Sequence, residues 1–159
     1  MLFLRSWNFH PMYSRKPKLH ERQREHKAGE LRTLSVDVTS KCNLNCIHCY
    51  AKPFLDVVPV DINVLIKALE EAFQMGVFHW VFQGGEPLVD LDRLYPILEN
   101  CHPEECYINL VTNGWSLDET LMCWLVEKGV DKLTFSLDSG IAEEHDHIRG
   151  RGSFHKVME

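Results

Sequence analysis

Apolar and polar residues alternate along this chain with two different periods, and the switches between them outline its elements. Leu34-Ser-Val-Asp-Val38 alternates residue by residue, the pattern of a half-buried strand. Asp61 then offers a helix N-cap, and Ile62, Leu65, Ile66, Leu69, Ala72 and Phe73 share one face at 3.6-residue spacing before a stop at Gly76. Val77 to Phe82 reads as a second, more fully buried strand that runs into Gly84-Gly85-Glu86-Pro87. Leu91 to Asn100 reads as a short helix, with Pro96 in its middle. Tyr107-Ile-Asn-Leu-Val111 is a third strand, followed by Thr112-Asn113-Gly114. The next helix opens on a Ser116/Glu119 capping box, carries Leu117, Leu121, Trp124 and Leu125 on one face, and closes at Lys128 and Gly129. Lys132 to Leu137 is a fourth strand, and Phe154 to Glu159 reads as the first turns of another helix.

Strands alternating with helices imply right-handed crossovers and a parallel sheet covered by helices, an α/β fold. The strand starts near Leu34, Val77, Tyr107 and Lys132 are 43, 30 and 25 residues apart, long enough for four βα units. In such sheets the side chains that do chemistry gather at the carboxyl ends of the strands. The polar motifs of this chain all fall there: a cysteine loop, Gly-Gly-Glu-Pro, Thr-Asn-Gly, and Ser136-Leu-Asp138.

Composition narrows the class without deciding it. The 159 residues are 45% apolar and 25% charged, as in an ordinary globular domain, and the length fits one domain. No run approaches the roughly 18–20 apolar residues of a membrane helix, and the opening residues break at Arg5 without the apolar core of a secretory signal. Six cysteines without an export signal point to a reducing compartment, and the expected location is the cytoplasm. Charge is unevenly spread, with a net of +5 over residues 1–32 and −11 over residues 33–159. The first 32 residues, with Arg15, Lys16, Lys18, Arg22, Arg24 and Lys27, have little apolar periodicity and read as a poorly ordered basic arm. Residues 33–159 form the core domain. Its acidic balance argues against nucleic acid as the partner.

Cys42, Cys46 and Cys49 are spaced CxxxCxxC on one loop. Thiolates are soft ligands that suit zinc and iron–sulfur clusters. A closed structural zinc site or an ordinary cluster wants four protein ligands, and this loop has three cysteines. Three thiolates on a four-iron cluster would leave one iron open, as a catalytic site requires. The competing reading is a Cys₃His zinc site with His48 as fourth ligand.

Joined to Gly84-Gly85-Glu86-Pro87 at the next strand end, the cysteine loop resembles that of the radical S-adenosylmethionine (radical SAM) superfamily. Ser136-Leu-Asp138 and His145-Asp-His-Ile-Arg149-Gly150 extend the likeness, which covers about Leu34 to Met158. It is most similar to the peptide-modifying branches that often carry a SPASM or related auxiliary-cluster domain. The resemblance implies a partial parallel (βα) barrel and an enzyme with two cofactors, a [4Fe–4S] cluster and S-adenosylmethionine. Cys42, Cys46 and Cys49 would ligate three irons, and the amino and carboxylate groups of S-adenosylmethionine would chelate the fourth. Gly84, Gly85 and Glu86 would meet the methionyl ammonium, where glycine lets backbone approach a ligand. Ser136 and Arg149 would hold the methionyl carboxylate, Asp138 and Asn113 would reach the ribose, and His48, where the family commonly has an aromatic residue, would lie near the adenine. An external electron donor would drive reductive cleavage to a 5′-deoxyadenosyl radical, which would abstract hydrogen from a peptide, protein or small-molecule substrate.

Plainer readings stand beside these. Gly-Gly-Glu-Pro and Asn113-Gly114 are also turn sequences, Asp138 could cap the next segment, and Arg149 could pair with Glu143, Glu144 or Asp146. Cys123 reads as a buried helix residue, and Cys101 and Cys106 as spectators. Barrels of this family have about six βα units against the four legible here, so a truncated chain, or a half-barrel completed by a partner, is expected. The alternatives in function are a non-catalytic zinc- or cluster-binding module and a radical SAM enzyme of small-molecule or cofactor biosynthesis.

Overall fold

The computed structural model describes residues 16–54 and 57–159. The described residues form one sheet of four parallel strands in the order β1-β2-β3-β4: β1 (Thr33–Thr39), β2 (His79–Gly84), β3 (Tyr107–Thr112) and β4 (Lys132–Phe135). Helix α1 (Pro17–Glu25) precedes the sheet, and α2 (Ile62–Gln74), α3 (Leu91–Asn100) and α4 (Glu119–Glu127) connect its strands. Helices α5 (Ala142–Arg149) and α6 (Ser153–Met158) follow β4. This is the α/β architecture of a partial (βα) barrel.

Burial alternates along β3 and along β2 as far as Gln83. Trp80, Phe82, Ile108 and Leu110 face the helices and join a core with Leu69, Phe73, Leu94, Ile97, Leu98 and Leu125. Each such side chain contributes about 1.5–3 kcal/mol on burial. The opposite set (Gln83 and Val111 among them) is only partly covered and faces the cleft described below. The second strand is therefore half-buried, and it starts at His79. Val77 and Phe78 are buried just ahead of it, which is why the run reads as wholly internal.

Asp61 caps α2 by accepting from the amides of Asn63 and Val64, and α3 has the bounds the sequence indicates, with Pro96 inside it. Two expectations on α4 need correction. Its cap is Asp118, whose Oδ1 accepts from the Leu121 amide at 2.7 Å, so Glu119 is the first helical residue and cannot close a box with Ser116. Cys123 is exposed, because it lies about 200° around the helix from Leu121 and from Leu125. Cys123 should accordingly react with a disulfide reagent well ahead of Cys101 and Cys106, and Cys123→Ser should remove one fast equivalent. Cys101 and Cys106 are fully buried, and burial pushes the Cys106 thiol up to about 11. Peptide mapping that finds either of them labelled before Cys123 would contradict this packing.

The basic arm also needs correction over part of its length. Residues 1–15, including Arg15, lie outside the described residues, but Pro17–Glu25 is a helix with Leu19 fully buried. Its fastenings are mostly cationic, which is why apolar periodicity does not show them. Lys16 Nζ donates to Cys106 O at 3.0 Å, Gly129 O at 2.9 Å and Asp131 Oδ2 at 2.6 Å. The Arg22 guanidinium lies 3.8 Å over the Phe73 ring and donates to Phe73 O at 2.9 Å. Cys106 and Asp131 immediately precede β3 and β4, so α1 is fastened at the amino end of the sheet, leaving the carboxyl end open.

Candidate functional site

The loop after β1 carries Cys42, Cys46 and Cys49, and its path is set by what happens at the end of β2. Beyond the regular pairing, the Gly85 amide donates to Thr39 O and the Glu86 amide to Lys41 O, both at 2.8 Å. These bonds draw residues 84–86 against residues 39–41. A Cβ on Gly85 would stand 2.1 Å from Lys41 O, and one on Gly84 2.7 Å from Thr39 O. Gly84 also has φ +129°, a conformation other residues rarely adopt. The two glycines are thus demanded by contact between chain segments, whatever a ligand requires of them. Cys42 follows the pinned segment directly.

The far side of the loop is held by α5. The Ile47 amide donates to Ile148 O at 2.9 Å, and Cys46 Sγ lies 3.9 Å from Arg149 O and 4.0 Å from Arg149 Nη1. Burial raises the thiols of Cys42 and Cys46, with Arg149 opposing it at Cys46 and the Leu44 amide at Cys42. Among the described residues no three His, Cys, Asp or Glu side chains converge on a point that one ion could occupy. Cys42, Cys46 and Cys49 all line one cleft, and three thiols are a donor set that suits an iron–sulfur cluster.

That cleft brings together Cys42, Cys46 and Cys49, Gly84, Gly85 and Glu86, Asn113, Ser136, Arg149 and His48. Of the sequence-derived candidates only Asp138 is missing from its wall. Asp138 is paired with Arg149, whose Nε and Nη2 donate to its carboxylate, and lies 3.7 Å from His48 Nε2. Burial raises the Asp138 carboxyl, but Arg149 outweighs it and the net shift is downward. None of the surface acids Glu143, Glu144 and Asp146 takes Arg149; Asp146 instead accepts from Gly152, Ser153 and Phe154.

Glu86 lines the cleft but is only 1% exposed, and its carboxylate is spent on the protein. Oε1 accepts from Thr112 Oγ1 at 2.8 Å and the Leu88 amide at 3.1 Å, and Oε2 accepts from the Asn113 amide at 2.7 Å. Burial raises its pKa against these three donors. Its side chain ties the end of β2 to the end of β3. Asn113 is similarly engaged, its Oδ1 accepting from the Trp115 amide at 2.9 Å and its Nδ2 donating to Asn43 Oδ1 at 2.8 Å. Sequence reasoning passed over Asn43 and gave Thr112 no role of its own, although they adjoin Cys42 and Asn113. A neighbour of a motif residue has no periodicity that marks it.

Comparison with known proteins agrees with this geometry. The family described as the Radical SAM superfamily matches residues 36–159. A PqqA peptide cyclase of Methylocella silvestris is 33% identical over 124 residues, 76% of this chain and 33% of that protein. A GTP 3′,8-cyclase of Corynebacterium glutamicum is 31% identical over 137 residues, 80% of this chain and 36% of the other. Among solved structures, native anSMEcpe with bound AdoMet and a Kp18Cys peptide superposes with a TM-score of 0.60 at 27% identity, over 79% of this chain and 38% of that one. The chain spans about a third to two fifths of the length of these relatives.

Proposed function

Because this chain belongs to the radical SAM superfamily, we propose that it holds a [4Fe–4S] cluster on Cys42, Cys46 and Cys49 and binds S-adenosylmethionine in the adjoining cleft. The observation that carries this reading is the single cleft in which three thiols meet Gly84-Gly85-Glu86, Asn113, Ser136 and Arg149. When bound, the cluster and S-adenosylmethionine would supply reductive carbon–sulfur cleavage and radical hydrogen abstraction. The chain's own residues bind and orient. The Arg149 guanidinium offers charge-assisted donors to the methionyl carboxylate, with the Ser136 hydroxyl beside it. Asp138 aligns Arg149 from behind, a positioning role in place of a ribose contact. The backbone of Gly84 and Gly85 would meet the ammonium, and the Glu86 side chain holds the two strand ends that carry these groups.

The substrate class we favour is a peptide. Its support is the likeness to relatives named PqqA peptide cyclase and to anSMEcpe structures with bound peptides. The GTP 3′,8-cyclase relatives keep a small-molecule substrate as the second reading. An electron donor from outside the chain completes the proposal.

Anaerobic reconstitution with iron, sulfide and dithionite tests it. About four irons and four sulfides per chain are expected, with a paramagnetic reduced cluster and 5′-deoxyadenosine released from S-adenosylmethionine. Cys46→Ala should lose all three signals. A colourless protein carrying one zinc would end the reading.

A further inference from the structure

Asn113 stands at the carboxyl end of β3 with a side-chain amide whose orientation is decided by its neighbours. The Trp115 backbone N–H, which can only donate, lies 2.9 Å from one terminal atom of that amide, so this atom is the oxygen. The nitrogen is then the atom 2.8 Å from Asn43 Oδ1. An amide nitrogen has two hydrogens, and Asn43 takes one. Asn113 is 8% exposed and lines the cleft. The other hydrogen is the group it can offer to a ligand there. Asn43 directly follows Cys42, and Glu86 Oε2 accepts from the Asn113 backbone amide at 2.7 Å.

We propose that Asn43 is a positioning residue for the cofactor cleft: by accepting one Asn113 Nδ2 hydrogen it locks that amide, so that Asn113 meets the bound nucleoside as a hydrogen-bond donor. The ligand atom facing Asn113 is then an acceptor, a ribose oxygen or a ring nitrogen of S-adenosylmethionine. The inference rests on the cofactor reading above and adds to it the polarity of this contact and the residue that sets it. It also explains why an asparagine adjoins the first cysteine, where the side chain has no cluster to bind. A loop residue fixed in this way couples the cysteine loop to the end of β3.

The test is S-adenosylmethionine affinity, measured anaerobically by calorimetry on the reconstituted chain. Iron content, the electron paramagnetic resonance spectrum and the unfolding midpoint are followed in parallel. Asn43→Ala should weaken binding about tenfold, the value of one oriented hydrogen bond, with iron content and spectrum unchanged. Asn43→Asp keeps the accepting oxygen and should stay within about threefold of the parent. Asn113→Asp retains an acceptor for Trp115 but loses the donor, and should match Asn43→Ala; adding Asn43→Ala to it should cost little more. Equal affinity of Asn43→Ala and parent would overturn the proposal, as would Asn43→Asp binding as weakly as Asn43→Ala, or Asn43→Ala losing iron. Should Asn43→Ala not fold, Asn113→Asp decides alone, and parental affinity there overturns it. A parent chain that binds neither iron nor S-adenosylmethionine would instead sink the cofactor reading itself, so the two failures are told apart.

Discussion

Gly85→Ala should destabilise the chain by about 3 kcal/mol in denaturant unfolding and should strip it of most of its capacity to bind iron. The added methyl would stand 2.1 Å from Lys41 O, 2.7 Å from Lys41 C and 2.9 Å from Ser40 O, all backbone atoms with no rotamer to escape into. Relief requires the 84–86 segment to part from residues 39–41, breaking the Gly85–Thr39 and Glu86–Lys41 hydrogen bonds. Cys42 moves with Lys41, so the geometry of the thiols changes as well. Gly140→Ala is the control. A Cβ there meets nothing within 4 Å, and unfolding should stay within about 0.5 kcal/mol of the parent. If the two alanine variants proved equally stable, the close approach between the strand ends would be wrong.

Lys16→Met should lower stability by about 3–5 kcal/mol near neutral pH. The ammonium is 9% exposed and the Asp131 carboxylate 3%. Removing the ammonium strands a buried carboxylate whose Oδ2 keeps only the Ile108 amide, at 2.8 Å, and whose Oδ1 has no partner. The pH dependence has a definite sign. Burial already raises the Asp131 pKa, with Lys16 opposing, and loss of Lys16 raises it further. A carboxyl with a raised folded-state pKa favours folding when protonated. The deficit of Lys16→Met should therefore be largest above that pKa and shrink as pH falls toward the ordinary carboxylate range of about 4. Adding Asp131→Asn removes the charge but leaves an acceptor for Ile108, and should recover more than half of the loss. A Lys16→Met chain as stable as the parent at pH 7 would mean that the Lys16–Asp131 pair does not fasten this segment to the sheet.

These two substitutions lie at opposite ends of the sheet, and together they show where sequence patterns were informative. α2 and α3 were legible because each buries one continuous apolar stripe, and the strands because their residues alternate between helices and cleft. α1 was not legible, since a buried lysine and an arginine stacked on Phe73 look like solvated charge until their partners are known. The start of α4 shows the limit at finer scale. Two plausible caps, Ser116 and Asp118, sit two residues apart, and only the path of the chain after Gly114 selects Asp118.

The site divides the same way. Cysteine spacing, strand-end placement and the family resemblance pointed to Cys42, Cys46, Cys49, Gly84, Gly85, Asn113, Ser136 and Arg149 as site residues, and the structure gathers them in one cleft. Their partners were another matter. That Asp138 faces Arg149, that Glu86 binds Thr112 and Asn113, and that Asn43 holds Asn113 are contacts between segments 11 to 70 residues apart.

The alternation of strands and helices from β1 to β4, the parallel sheet and the family were determined by the sequence alone, because periodicity and motif spacing are properties of residues near one another in the chain. Which polar side chains are free to meet a ligand, and which are used up on the protein, was decided only in three dimensions. A hydrogen-bond donor or acceptor is satisfied by whatever the fold places within about 3 Å of it, and no local pattern encodes that neighbour.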